Sequence, residues 1–106
     1  MDLRQLEAAL DILGSLDPGV LPLHHTQVFL HISQKESCTY RDIEQRFNLS
    51  NAAVSRICNA LSSNARHRDN SLGLVEIYID PQEGRRYRVR LSKKGKSIQQ
   101  NLTNIS

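Results

Sequence analysis

The chain has no stretch approaching the roughly 18 consecutive apolar residues of a membrane helix. Its first residues, Met1-Asp2-Leu3-Arg4, lack the cationic stretch and long apolar run of a secretory leader. The expectation is a cytoplasmic protein with no membrane partner. Cysteine is scarce: Cys38 and Cys58 are too few for a disulfide framework. Cys58 lies in an apolar helical pattern and reads as core, and Cys38 precedes a helix start. A redox switch through the two thiols is the minor alternative. The four histidines make no metal set. His24 and His31 stand two helical turns apart, His25 falls on another face, and neither they nor His67 have a Cys or carboxylate partner at ligand spacing. No nucleophile–base pair, paired carboxylates or phosphate-cradling glycine loop stands out. These absences argue against an enzyme and against a bound cofactor.

What is present fits one domain of 106 residues, with 39% hydrophobic and 24% charged residues. The charge is unevenly spread. Residues 1–49 carry four Lys/Arg against seven Asp/Glu, net −3, and residues 50–106 carry ten against four, net +6, which together give the +3 of the whole chain. A basic half on a near-neutral chain points to a polyanion partner, most simply nucleic acid, or to a solvated basic face.

Leu3, Leu6, Leu10 and Leu13 recur at helical spacing, predicting an amphipathic N-terminal helix within 3–16 that Gly14 and Asp17-Pro18-Gly19 end. So narrow a stripe on a short helix needs a partner surface, either its own domain or a second subunit. Leu23 to Ser33 reads as a second helix after Pro22, with Val28, Phe29 and Ile32 as its apolar face. Thr39, with Asp42 three residues on, resembles a capping box opening a short helix from Tyr40 to Phe47. After the break Asn48-Leu49-Ser50, Ser50 is a plausible N-cap for a helix from Asn51 to about Ser62. Ser63 to Gly73 is polar and reads as loop. From Leu74 to Asp80 the period changes to two, as it does again over Tyr87, Val89 and Leu91. With the turn Pro81-Gln82-Glu83-Gly84 between them, these segments make a hairpin with one apolar face and a row of arginines, Arg86, Arg88 and Arg90, on the other. A last helix starts near Ser92 and carries Ile98, Leu102 and Ile105.

The informative stretch is Thr39 to Leu61. Ile43 and Phe47 would bury one helix, Leu49 would plug a tight turn, and Val54 and Ile57 would bury the next, which is a helix-turn-helix pattern. Fixing that apolar face turns Asn51, Ala52, Ser55, Arg56 and Asn59 outward. No acidic residue occurs between Ser50 and Arg68, where one would repel phosphate. Asn and Arg side chains make bidentate bonds to adenine and guanine edges; an ordinary polar solvent face is the bland alternative. At the hairpin turn Gly84 lets the tip bend, and Arg85 and Arg86 suit a narrow minor groove. Asp80 and Glu83 nearby either orient the arginines by pairing or weaken their attraction for phosphate. Lys93, Lys94 and Lys96 stand in the first turn of the last helix, which the helix dipole disfavours unless an anion lies close or solvent carries them.

Leu49-Ser50-Asn51-Ala52-Ala53-Val54-Ser55-Arg56-Ile57-Cys58-Asn59-Ala60-Leu61, then the arginine hairpin, then Leu91-Ser92-Lys93-Lys94-Gly95-Lys96, resembles a MarR-type winged helix-turn-helix regulator over roughly Leu21 to Leu102. The resemblance implies an α+β, mostly α domain with a two-stranded β-hairpin wing: a winged-helix core over 21–92, the N-terminal helix within 3–16 and a C-terminal helix over 93–106. It implies a homodimer on a pseudopalindromic operator, with dimer contacts from Leu3, Leu6, Leu10, Leu13, Ile98 and Leu102. The helix opened by Ser50 would enter the major groove with Ser50, Asn51, Ala52, Ser55, Arg56 and Asn59. The wing would reach the minor groove with Arg85, Arg86 and Arg88. Thr39, Tyr40 and Arg41 at the start of the short helix, and Arg66 and Arg68 in the following loop, are candidate phosphate contacts. Two features depart from the family. Both end helices are short, and the Ser62 to Gly73 link is longer than the usual tight turn into the wing. So small a relative would suit a phage or other mobile element. The expected function is sequence-specific binding of double-stranded DNA for transcriptional control, most simply repression. The alternative is a winged-helix adaptor holding a protein partner such as a polymerase, replication or phage protein.

Overall fold

A computed structural model describes residues 1–16, 21–63 and 72–105. In chain order these form α1 (Leu3–Gly14), α2 (Leu23–Ser33), β1 (Cys38–Thr39), α3 (Tyr40–Phe47), α4 (Asn51–Leu61), β2 (Val75–Ile79), β3 (Tyr87–Leu91) and α5 (Lys93–Thr103). The architecture is a winged helix, mostly helical.

Local chemistry accounts for most helix boundaries. The Asp2 carboxylate accepts the Gln5 backbone N–H at 2.8 Å while the Gln5 side chain accepts that of Asp2 at 2.9 Å, a reciprocal cap that opens α1. Thr39 and Asp42 exchange the same pair of bonds at 3.0 Å each and open α3. The bonds from Thr39, backbone first, hold the Asp42 carboxyl below the usual carboxylate range. Ser50 and Ser92 cap α4 and α5 by accepting the N–H groups of Ala53 and Gly95 at 3.1 and 3.0 Å. Between α3 and α4 the chain turns on Asn48, whose φ of 53° is the left-handed conformation that asparagine tolerates at a helix C-terminus. The backbone N–H groups of Asn48 and Leu49 both reach the Glu44 carbonyl.

The sheet has three antiparallel strands in the order β1-β3-β2. The hairpin register pairs Val75 with Leu91, Ile77 with Val89 and Ile79 with Tyr87, and Cys38 with Val89 across to β1. The third strand went unread in the sequence: two residues are too short to show a period, and β1 exists only because β3 offers it a partner. The core is one cluster in which Val28, Phe29 and Ile32 of α2 meet Ile43 of α3, Val54, Cys58 and Leu61 of α4, and Leu74, Val75 and Val89 of the hairpin. Each of these large side chains contributes about 1.5–3 kcal/mol through removal of apolar surface from water. Phe47, Leu49, Ile98 and Leu102 pack half-buried on its margin.

The junction of wing and α5 is unusually close. The Ser92 N–H donates to the Leu74 carbonyl at 2.9 Å, and its hydroxyl donates to the Gly73 carbonyl. Gly95, one residue short of a full turn later, lies against the same Leu74 carbonyl: a Cβ placed there would be 2.0 Å from that oxygen. The Leu91-Ser92-x-x-Gly95 segment is therefore a joint, in which serine ties the strands to the helix and glycine supplies space.

Candidate nucleic-acid interface

Helix α4 is amphipathic in the sense the sequence implied. Val54, Ile57, Cys58 and Leu61 are buried, while Ser50, Asn51, Ala52 and Arg56 are exposed. Ser55 and Asn59 lie half-buried and bond to each other, the Asn59 amide donating to the Ser55 hydroxyl at 3.3 Å. Arg56 has no ion-pair partner among the described residues. Asn51 does have a partner: its Nδ2 donates to Glu44 Oε2 at 3.2 Å. The turn at Asn48 thus brings a carboxylate from α3 to the head of a helix that has none of its own in its first turn. Glu44 is not legible as part of this face from the sequence, since the face is read from helical spacing within α4 alone. The sole signal of Glu44 is its position one turn before the Asn48 break.

The candidate phosphate contacts divide. Arg41 is exposed at the head of α3, whereas Thr39 and Tyr40 are buried. Tyr40 stacks on Tyr87 of β3 with ring centroids 5.5 Å apart, and burial raises its phenol above the ordinary tyrosine range. Thr39 gives its hydroxyl to the α3 cap. Arg66 and Arg68 lie outside the described residues, as do the Asp17-Pro18-Gly19 break and most of the Ser62 to Gly73 link.

The wing arginines are mostly engaged. Arg88, half-buried, donates through Nη1 to Asp80 at 3.2 Å and through Nε and Nη2 to the Ser37 hydroxyl at 3.3 and 3.0 Å. It fastens the wing to the segment entering β1. Asp80, buried, also accepts the Gln82 backbone N–H at 2.9 Å. That bond first, and Arg88 beside it, hold its carboxyl below the usual range against the opposing effect of burial. Arg86 pairs with Glu83 at 3.1 Å, and Arg90 pairs with Glu76 at 3.5 Å while lying over the Tyr78 ring. Asp80 and Glu83 therefore act on the arginines by pairing. The exposed pairs are weak, so Arg86 is released at small cost. Arg85 is exposed with no acidic partner among the described residues.

The N-terminal stripe is buried only at one end. Leu13 is 4% exposed and belongs to the core of its own chain, while Leu3, Leu6 and Leu10 are 84%, 44% and 53% exposed. Ile98 and Leu102 of α5 are half-buried against the same core. Both cysteines are buried and unpaired. Among the described residues no helix is long and apolar enough to cross a membrane.

No protein-family model matches the sequence, and no curated protein matches it. Solved structures do match. The S. aureus MepR–DNA complex is 18% identical, with a TM-score of 0.73 over 96% of this chain and 76% of that one. A mutant of MarR from E. coli complexed with operator DNA is 18% identical, with a TM-score of 0.65 over 96% of this chain and 68% of that one. The PcaV transcriptional regulator from Streptomyces coelicolor, in complex with its natural ligand, is 20% identical, with a TM-score of 0.63 over 96% and 67%. The chain has the MarR-type winged-helix fold.

Proposed function

We propose that this chain is a sequence-specific double-stranded DNA-binding transcriptional regulator, acting as a homodimeric repressor. The observation that carries this reading is the outward face of α4. Ser50, Asn51, Ala52 and Arg56 form an exposed row free of acidic side chains of its own helix, projected by the buried set Val54, Ile57, Cys58 and Leu61. Two similarly folded proteins carry DNA in their structures. In this reading α4 enters the major groove, with Arg56 suited to a guanine edge and Asn51 to an adenine edge. Arg85, joined by Arg86 once it leaves Glu83, enters the minor groove. Arg41 and the lysines at the head of α5 supply phosphate attraction. Arg88 holds the wing in place, since Asp80 and Ser37 take three of its five N–H donors.

A second copy is the natural cover for Leu3, Leu6 and Leu10, which would otherwise keep a leucine row in water. The half-buried Ile98 and Leu102 adjoin through the contact of α1 with α5. Two α4 helices related by the dimer axis would sit about 34–36 Å apart, one turn of duplex. The test is selection from random duplex DNA with purified protein at about 0.15 M ionic strength. An enriched inverted repeat with half-sites one helical turn apart is expected. Weak, salt-sensitive binding without enrichment would refute it.

A further inference from the structure

We infer that Glu44 is a specificity-determining residue, setting which base Asn51 reads by fixing the orientation of its amide; this rests on the DNA-binding reading above. An asparagine amide offers two donors on Nδ2 and an acceptor at Oδ1, and turning it about its last torsion exchanges them. A carboxylate only accepts, so the 3.2 Å contact between Asn51 and Glu44 Oε2 admits a single orientation, with Nδ2 toward Glu44. The carbonyl and the second N–H then face away from α3.

The backbone of Glu44 is held in place. Glu44 lies half-buried in the last turn of α3, where its own carbonyl accepts the N–H groups of Asn48 and Leu49 that make the turn into α4. Asn51 is the first residue of α4, exposed, one position after its Ser50 cap. The contact therefore joins the two helices of the motif at the point where a base edge would meet α4. An amide presenting one acceptor and one donor matches adenine, whose N6 donates and N7 accepts. It mismatches guanine, whose O6 and N7 both accept. The carboxylate adds a second bias, because it repels the acceptor-rich guanine edge.

Without Glu44 the amide turns freely and offers two donors to guanine. Glu44→Gln relaxes the site as well, because a glutamine accepts from the Asn51 amide when Nδ2 faces it and donates when Oδ1 faces it, so both orientations are satisfied. Glu44→Ala and Glu44→Gln change the side chain alone and leave the cap and turn hydrogen bonds of the backbone intact.

The test is selection from random duplex DNA with the wild-type chain, Glu44→Ala, Glu44→Gln, Asn51→Ala and the Glu44→Ala/Asn51→Ala double variant, followed by affinities on the selected site and its single-base variants. The wild type is expected to favour adenine over guanine at one position of each half-site by about fivefold or more, the lower end of discrimination by a bidentate contact. Both Glu44 variants should lose that preference, and Asn51→Ala should lose it at the same position. The double variant should match Asn51→Ala there. A general gain in affinity with the motif unchanged would make Glu44 a source of charge repulsion alone and overturn the inference, leaving the regulator reading standing. No enriched motif from the wild type would overturn both.

Discussion

Replacing Gly95 with alanine tests the joint between wing and α5. The glycine is helical and needs no unusual backbone angle; it is required for space. An alanine Cβ would lie 2.0 Å from the Leu74 carbonyl oxygen, 3.1 Å from its carbon and 3.3 Å from Leu91 Cδ2. Ordinary contact begins near 3.5 Å, so helix and strand must part by roughly 1.5 Å. The atoms in the way are backbone, which no rotamer change moves. Parting them also stretches the 2.9 Å bond from the Ser92 N–H to that same oxygen. Overpacking of this kind costs about 1–3 kcal/mol, and the weakened hydrogen bond about 0.5–1.5 kcal/mol. Alanine regains at most about 1 kcal/mol through helix propensity, and less in a first turn. The balance is a loss of about 0.5–4.5 kcal/mol, a fall in Tm of roughly 2–35 °C for a chain of this size. Thermal and urea unfolding followed by circular dichroism measure it. An unchanged or raised Tm would refute the argument, because propensity would then outweigh the close approach.

Arg56→Ala should weaken binding to the selected site by about 1–3 kcal/mol and leave binding to random duplex nearly unchanged; an equal loss on both, read by fluorescence anisotropy, would make Arg56 a phosphate contact. Arg85→Ala should weaken binding to an extent that depends on the A·T content beneath the wing, and equal affinities across such sites would remove the wing tip from the mechanism. Leu6→Asp should turn a dimer into a monomer in sedimentation velocity, and a boundary unchanged from the wild type would remove α1 from the interface. Burial, with Cys38 adding to it, pushes the Cys58 thiol from 9.0 up to about 12. The folded chain holds that proton more tightly than the unfolded one, so this contribution to stability is complete below about pH 9 and is lost as pH rises toward 12. Cys58→Ser should flatten the alkaline decline in urea stability between those values, although the variant starts less stable.

Much of the fold was legible because its signals are local. Thr39, Ser50 and Ser92 mark helix starts through bonds to backbone three residues away, and the hairpin shows a period of two over each strand. The outward face of α4 was legible too, since burying Val54, Ile57 and Leu61 leaves Asn51, Ala52 and Arg56 outside by helical geometry alone.

Other features exist only in three dimensions. The arginines of the hairpin look alike in sequence, yet Arg88 in β3 is anchored by Ser37, which lies 51 residues away, while Arg85 at the tip is left without an acidic partner among the described residues. Cys38 and Thr39 become a strand only beside Val89 and Arg88. Gly95 reads as a helix-weakening residue until Leu74 is seen against it. Helix starts, strand periods and the outer face of α4 depend on neighbours within a turn or a strand, and the amino-acid sequence by itself determined them. The anchoring of Arg88 by Ser37 and the close approach of wing and α5 join segments distant in the chain, and the meeting of Glu44 with Asn51 depends on the angle between two helices; only packing around the shared core fixes these.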